Sequence, residues 1–201
     1  MRSFFPTSSV HVQQTGTWQS QLVVDFGWSK VETFCNSSDD LKRLMQLNFT
    51  QEYIRNITVY KHPLNDFQIN QLLDNHQFVI LETKNWWYSI EKNDHCIYMQ
   101  RSKYIDEVQC YIRNICRRTP ILRISYDFCK PWKTMGDLIQ FLYDKNELNN
   151  VYHPMFSNCH AFAKRIFNKF ASTKTHEIML GCSPTFKVTP PWVFPDGQQA
   201  R

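Results

Sequence analysis

Three β-rich runs in close succession, HQFVILE (76–82), WWYSIEK (86–92) and CIYMQRS (96–102), do most to limit what this chain can become. Each is rich in aromatic and branched residues, and only brief polar stretches separate them, around Thr83-Lys84-Asn85 and at Asn93-Asp94. Connections this short leave no room for a crossover helix, so the runs predict an antiparallel meander. An apolar sheet face needs a covering layer, and the flanking sequence offers helices to supply it.

KYIDEVQCYIRNICRR (103–118) switches to a period of 3.6, with Ile105, Val108, Ile112 and Ile115 on one stripe. Thr134 opens a helix at a T-x-x-D sequence, with Asp137 in the reciprocal capping position. A last helix follows Asn158, with Phe162, Ala163, Ile166, Phe167 and Phe170 turned inward. Shorter signals suggest helices from Ser38 over DDLKRLMQL and within LNDFQINQLLDN (64–75), and strands in LVVDFGW (22–28) and ILRISYDF (121–128). The fold class expected is α+β, a small antiparallel meander packed against helices. Residues 1–30 read as a polar, partly ordered leader, 31–175 as the folded domain, and 176–201 as a proline-rich tail.

Composition narrows the function classes. Among 201 residues, 42% are hydrophobic and 15% aromatic, enough for one packed domain, and five glycines are too few for a glycine-rich phosphate loop. The net charge of +5 permits an anionic partner such as RNA or a lipid headgroup without requiring one. The densest basic segment, with Arg117, Arg118, Arg123 and Lys130, reads as a solvated helix end and loop. No apolar run approaches the roughly 20 residues of a membrane span, and the N-terminus lacks the apolar core of a secretory signal. Sequons at Asn36, Asn48 and Asn56 are therefore read as coincidental. Seven cysteines without a C-x-x-C argue against a disulfide framework or a structural zinc site, and fit a reducing, cytoplasmic compartment. His95-Cys96 with Cys110 or Cys116 is too poorly spaced to make a metal site, so no metal or cofactor is expected.

Among those cysteines, only Cys159 has a local reason to be reactive. It follows Asn158 at the start of an apolar-periodic helix, where the positive end of the macrodipole favours thiolate over thiol. A nucleophilic thiol needs a base, and the base needs an orienting partner. Of seven histidines, His76 opens an apolar strand, a rigid mount for an imidazole. His160 adjoins Cys159, but neighbours on a helix point about 100° apart, which marks it as a poor base for that thiol. His153, in the preceding loop, remains a substitute.

The order, a histidine leading a meander and then Asn-Cys at a helix start, resembles the lecithin:retinol acyltransferase-like group of the circularly permuted papain-like superfamily. That group includes cellular phospholipase/acyltransferases and the H-box/NC proteins of some picornaviruses. The resemblance spans about residues 65–172, with His76-Gln-Phe-Val-Ile-Leu as the H-box equivalent and Asn158-Cys159-His-Ala-Phe-Ala as the NC equivalent. It implies Cys159 as nucleophile and His76 as base. Cellular members carry a second histidine on the next strand, and WWYSIEK has none. Side chains alternate with period two, so Ser89 and Glu91 share a face. A two-residue turn at Lys84-Asn85 would set Glu91 opposite Phe78 and diagonal to His76. Glu91 is thus the favoured third residue and Ser89 the reserve. Gln77 after the histidine and the lack of a glycine turn also depart from the cellular pattern.

Two function classes follow. One is a thiol-dependent hydrolase or acyltransferase acting on an ester, thioester or amide, lipid or peptide, through an acyl-cysteine. The other is an inactive module of the same fold that binds RNA or a protein partner, with the basic segment and Trp86-Trp87 as contact groups.

Overall fold

The structure, a computed structural model, describes residues 18–26, 33–63, 75–110, 117, 120–153 and 156–173. The meander is present as β4 (Asn75–Thr83), β5 (Trp87–Lys92) and β6 (Ile97–Ser102). It forms the centre of a larger sheet. With β1 (Leu22–Asp25), β2 (Thr33–Cys35), β3 (Ile54–Pro63) and β7 (Leu122–Phe128), seven strands run in the order β2-β1-β6-β5-β4-β3-β7. The sheet is mixed, because β1 lies parallel to β6 while the other pairings are antiparallel. The expected small, wholly antiparallel sheet is corrected on both counts. β1 also places a buried four-residue strand inside the stretch read as a leader.

Burial explains the strand sequences. β4 is covered on both faces, so Phe78-Val79-Ile80-Leu81 is a continuous apolar run with no alternation. On one face, Leu22, Val24, Ile57, Val59, Val79, Leu81, Ile90 and Met99 meet the helices α1 (Ser38–Leu44), α3 (Met135–Asp144) and α4 (Cys159–Phe170). On the other, Phe78, Ile80 and Val108 gather Tyr60, Trp87, Ile105 and Ile121. Each fully buried aliphatic or aromatic side chain contributes about 1.5–3 kcal/mol. The Thr134 capping box is complete: its hydroxyl accepts from Asp137 N–H at 3.1 Å, and Asp137 accepts from Thr134 N–H at 2.9 Å. Gly136 lets the first turn of α3 close on the 3-10 turn Asn48–Gln51, where an added Cβ would lie 3.0 Å from the Thr50 carbonyl.

In the described part of the helix expected over 103–118, α2 (Ile105–Gln109) ends after five residues. Cys110 is already extended, at φ −77° and ψ 153°. The Gln100 amide donates to the carbonyls of Val108 (3.2 Å) and Cys110 (2.5 Å), taking acceptors that a continuing helix would need. Ile112 and Ile115 lie outside the described residues, as do most of the helix expected at 64–75 and the tail from 174 onward. Trp86, named above as a contact group, is half-buried, with Arg101 and Lys103 over its ring at 4.2 and 3.7 Å. Trp87 is half-buried within the Phe78 cluster.

Candidate active site

The site is assembled where β4 begins and α4 begins. Asn158 is extended (φ −106°, ψ −177°), and its side-chain oxygen accepts from Ala161 N–H at 2.9 Å, capping α4. Cys159 is therefore the first helical residue, buried at the end of α4 where the backbone N–H groups lack intrahelical acceptors.

The β4–β5 hairpin supplies His76 and Glu91. Its tip is Lys84-Asn85, closed by Thr83 N–H on the Trp86 carbonyl at 2.9 Å. The Thr83 hydroxyl also accepts from Trp86 N–H at 3.0 Å. The register Val79↔Ile90, Ile80↔Ser89 continues to set Glu91 beside Phe78, diagonal to His76. His76 Nε2 lies 2.6 Å from Glu91 Oε2, and both side chains are buried. Ser89, also buried, makes no hydrogen bond through Oγ among the described residues. Glu91, and not Ser89, holds the histidine.

Arg117 backs the pair from behind. It donates through one terminal nitrogen to Glu91 Oε2 at 3.0 Å and through the other to Oε1. It also donates from Nε to the Gln109 carbonyl at 2.8 Å, and its guanidinium lies 3.9 Å from the Phe78 ring centre. The reading of Arg117 as a solvated charge is thus corrected: it is 6% exposed, and the carboxylate is what holds it there. His62, paired with His76 across β3 and β4, completes this shell. Its Nδ1 lies 3.0 Å from the Pro63 carbonyl, which requires N–H there, and its Nε2 lies 3.1 Å from an Arg117 nitrogen, which requires a lone pair. His62 is therefore neutral. Burial, with Arg117 beside it, lowers its pKa to about 4.

The charges follow from these contacts. Burial would raise the Glu91 pKa, but the Arg117 charge and the His76 bond outweigh it and hold the carboxylate ionised at about 2. Burial also opposes a proton on His76, yet hydrogen bonds to Cys159 and Glu91 carry its pKa up to about 9. Burial favours the neutral Cys159 thiol as well. Side-chain hydrogen bonds from His160 and His76, and the backbone N–H of Gln77, reverse that and lower its pKa to about 5. The two shifts, one up and one down, favour a thiolate–imidazolium pair near neutral pH. Tyr152 also hydrogen-bonds the sulfur; burial and then the thiolate charge raise its pKa to about 12.

A second buried charge fixes the loop before Cys159. Lys92 Nζ donates to the Asn150 carbonyl and, at 3.0 Å, to Ser157 Oγ. It lies 3.9 Å from Glu147, which also takes two bonds from Arg165 at 2.8 and 2.9 Å. The Trp18 ring packs 4.7 Å from the Lys92 ammonium, and its N–H donates to the Leu148 carbonyl at 2.9 Å. Through Glu147, Leu148, Asn150 and Ser157 this cluster anchors the approach to Asn158-Cys159.

Cys159, His76 and Glu91 are thus brought together. His153 is exposed and stacks on Phe156 at 4.8 Å. His160, set aside above as a base on helical geometry, nevertheless hydrogen-bonds the sulfur, and its Nε2 lies 2.7 Å from the Asn75 carbonyl oxygen. Arg117, His62 and Tyr152 had no distinguishing sequence signal beyond their residue types. Among the described residues no group of three or more His, Cys, Asp or Glu is disposed to hold a metal ion, and no helix is long and apolar enough to cross a membrane. No family model, curated protein or solved structure matches this chain.

Proposed function

We infer that this chain is a thiol-dependent hydrolase or acyltransferase with a permuted papain-like, H-box/NC arrangement, acting on an ester, thioester or amide. One observation carries the reading: the Cys159 sulfur at a helix N-terminus hydrogen-bonds His76, whose other nitrogen is held by the buried Glu91 carboxylate. With Nε2 engaged by Glu91, Nδ1 is the nitrogen left for the thiol. The thiolate adds to the substrate carbonyl, and the carbonyl electron pair moves to oxygen. The first N–H groups of a helix have no intrahelical acceptor, so that of Cys159 can receive the oxyanion. Collapse expels the leaving group and forms the acyl-cysteine, which water or an acceptor then resolves.

Two measurements test this. Iodoacetamide labelling across pH should show Cys159 ionising well below the roughly 8.5 of a free thiol, and His76→Ala should return it towards that value. An acyl-ester and amide screen should find turnover that Cys159→Ala abolishes. An ordinary Cys159 titration would overturn the reading.

A second reading, an inactive fold that binds RNA or a protein, draws on exposed aromatics distant in sequence from the site. Tyr126 and Phe128 pack edge to face on β7 with Arg123 over Tyr126, and Trp132, 82% exposed at φ 64°, packs edge to face with Tyr53. Binding of single-stranded RNA that Cys159→Ala leaves intact, together with an ordinary thiol, would favour it.

A further inference from the structure

His76 is not alone at the sulfur. His160 Nε2 lies 2.7 Å from the Asn75 carbonyl oxygen, and its side chain also hydrogen-bonds Cys159. A carbonyl oxygen and a thiolate are both acceptors, so only an imidazolium, with two N–H donors, satisfies both contacts. The same holds for His76 between Glu91 and Cys159. With Cys159 as the thiolate, both rings donate to it as imidazolium.

The rings differ in what stands behind them. His76 is backed by a carboxylate, and behind that lie Arg117 and the neutral His62. His160 is backed by a neutral carbonyl, and Tyr152 is the other titratable group at the sulfur. Giving up the Nδ1 proton ends the ion pair with Glu91 at His76, whereas at His160 the Nε2–H bond to the Asn75 carbonyl stays in place and loses only its charge assistance, so His160 releases its proton at lower cost.

We propose that His160 is a second catalytic imidazole, the one that protonates the leaving group while His76 stays charged beside the sulfur. The inference rests on the acyl-cysteine reading above. As the tetrahedral adduct collapses, the carbon–oxygen or carbon–nitrogen bond breaks, and the departing atom takes the Nδ1 proton of His160. The ring is left neutral, with Nε2–H still on Asn75. In the second half, water adds to the acyl carbon and gives its proton to that Nδ1, which restores the starting state. No other reactant is required.

His160→Gln is the test, since its amide can still donate to the Asn75 carbonyl but cannot carry a proton. A nitrophenyl ester needs no protonation of its leaving group, whereas an alkyl amide or alkyl ester does. General acid catalysis contributes about 10²–10⁴-fold, so His160→Gln should slow the alkyl substrates by about 100-fold or more and the nitrophenyl ester by less than about 3-fold. It should also raise the pH midpoint of Cys159 alkylation, as should His76→Asn. Equal slowing of both substrate types, or an alkylation midpoint that moves in His76→Asn but not in His160→Gln, overturns this inference and leaves the cysteine reading standing. A wild-type thiol that titrates ordinarily overturns the cysteine reading itself. A His160→Asn variant read the same way guards against a misfolded first substitution.

Discussion

Glu91 and Lys92 are consecutive residues of β5, both fully buried and oppositely charged, and the strand's alternation sends them to opposite faces of the sheet. Glu91 meets two cationic side chains, His76 and Arg117, and holds the imidazole. Lys92 meets one carboxylate at 3.9 Å, a carbonyl, a hydroxyl and an indole face, and holds the loop that leads to Cys159. One partner set is dominated by charge and the other by hydrogen bonds. A buried charge can set the protonation of a neighbour or fix the position of a chain segment, and β5 does each with one residue.

The comparison breaks most readily at Glu91. Glu91→Gln leaves the Arg117 guanidinium buried without its anion, a loss of about 3–5 kcal/mol in urea denaturation, and moves the Cys159 alkylation midpoint upward. A stability loss with an unmoved midpoint would show that Glu91 serves only packing. Acid should reveal the same pair. Because the Glu91 pKa falls from 4.5 to about 2 on folding, its contribution is fully present above pH 4.5 and is lost as pH falls towards 2. The loss should reach about 2–3 kcal/mol in wild type and vanish in Glu91→Gln.

Lys92→Met should cost less, about 2 kcal/mol, because Glu147 keeps Arg165. Its distinguishing result is an unchanged thiol midpoint together with faster amide exchange across residues 147–157. A midpoint shifted as far as in Glu91→Gln would erase the division of labour. Lys92 has the same pH sign as Glu91 but acts in an alkaline window. Burial lowers its pKa from 10.5 to about 8, so the unfolded chain binds more protons between those values and stability rises there with pH. The smallest effect belongs to Trp18→Leu, which removes the bond to Leu148 and the ring beneath the ammonium. We expect about 1 kcal/mol, read as a shift in the denaturation midpoint.

Much of the centre of the molecule was legible. The meander, the Thr134 and Asn158 caps and the hairpin register follow from local rules, and that register is what carried Glu91 to His76. The rest depended on distant partners. β3 is a ten-residue inner strand, yet Arg55, Asn56, Lys61 and a closing Pro63 blur its pattern, because its ends are less covered than its middle. β1 is marked as a strand by Leu22-Val23-Val24, but nothing local tells that it runs parallel to β6. Arg117 resembles its basic neighbours until Glu91 is placed beside it. His160 was discounted by an angle within one helix, a measure that ignores the strand meeting that helix end.

The hairpin that joins His76 to Glu91 closes over 15 residues, whereas Cys159 arrives on a helix whose contacts with β4 span most of the described domain. Local contacts form early and distant ones late, so the base and its carboxylate can be in place before the thiol is delivered. A nascent or partly unfolded chain then carries Cys159 as an ordinary thiol, largely protonated at neutral pH. The contacts that lower the Cys159 pKa are complete only once the last helix has docked on the sheet.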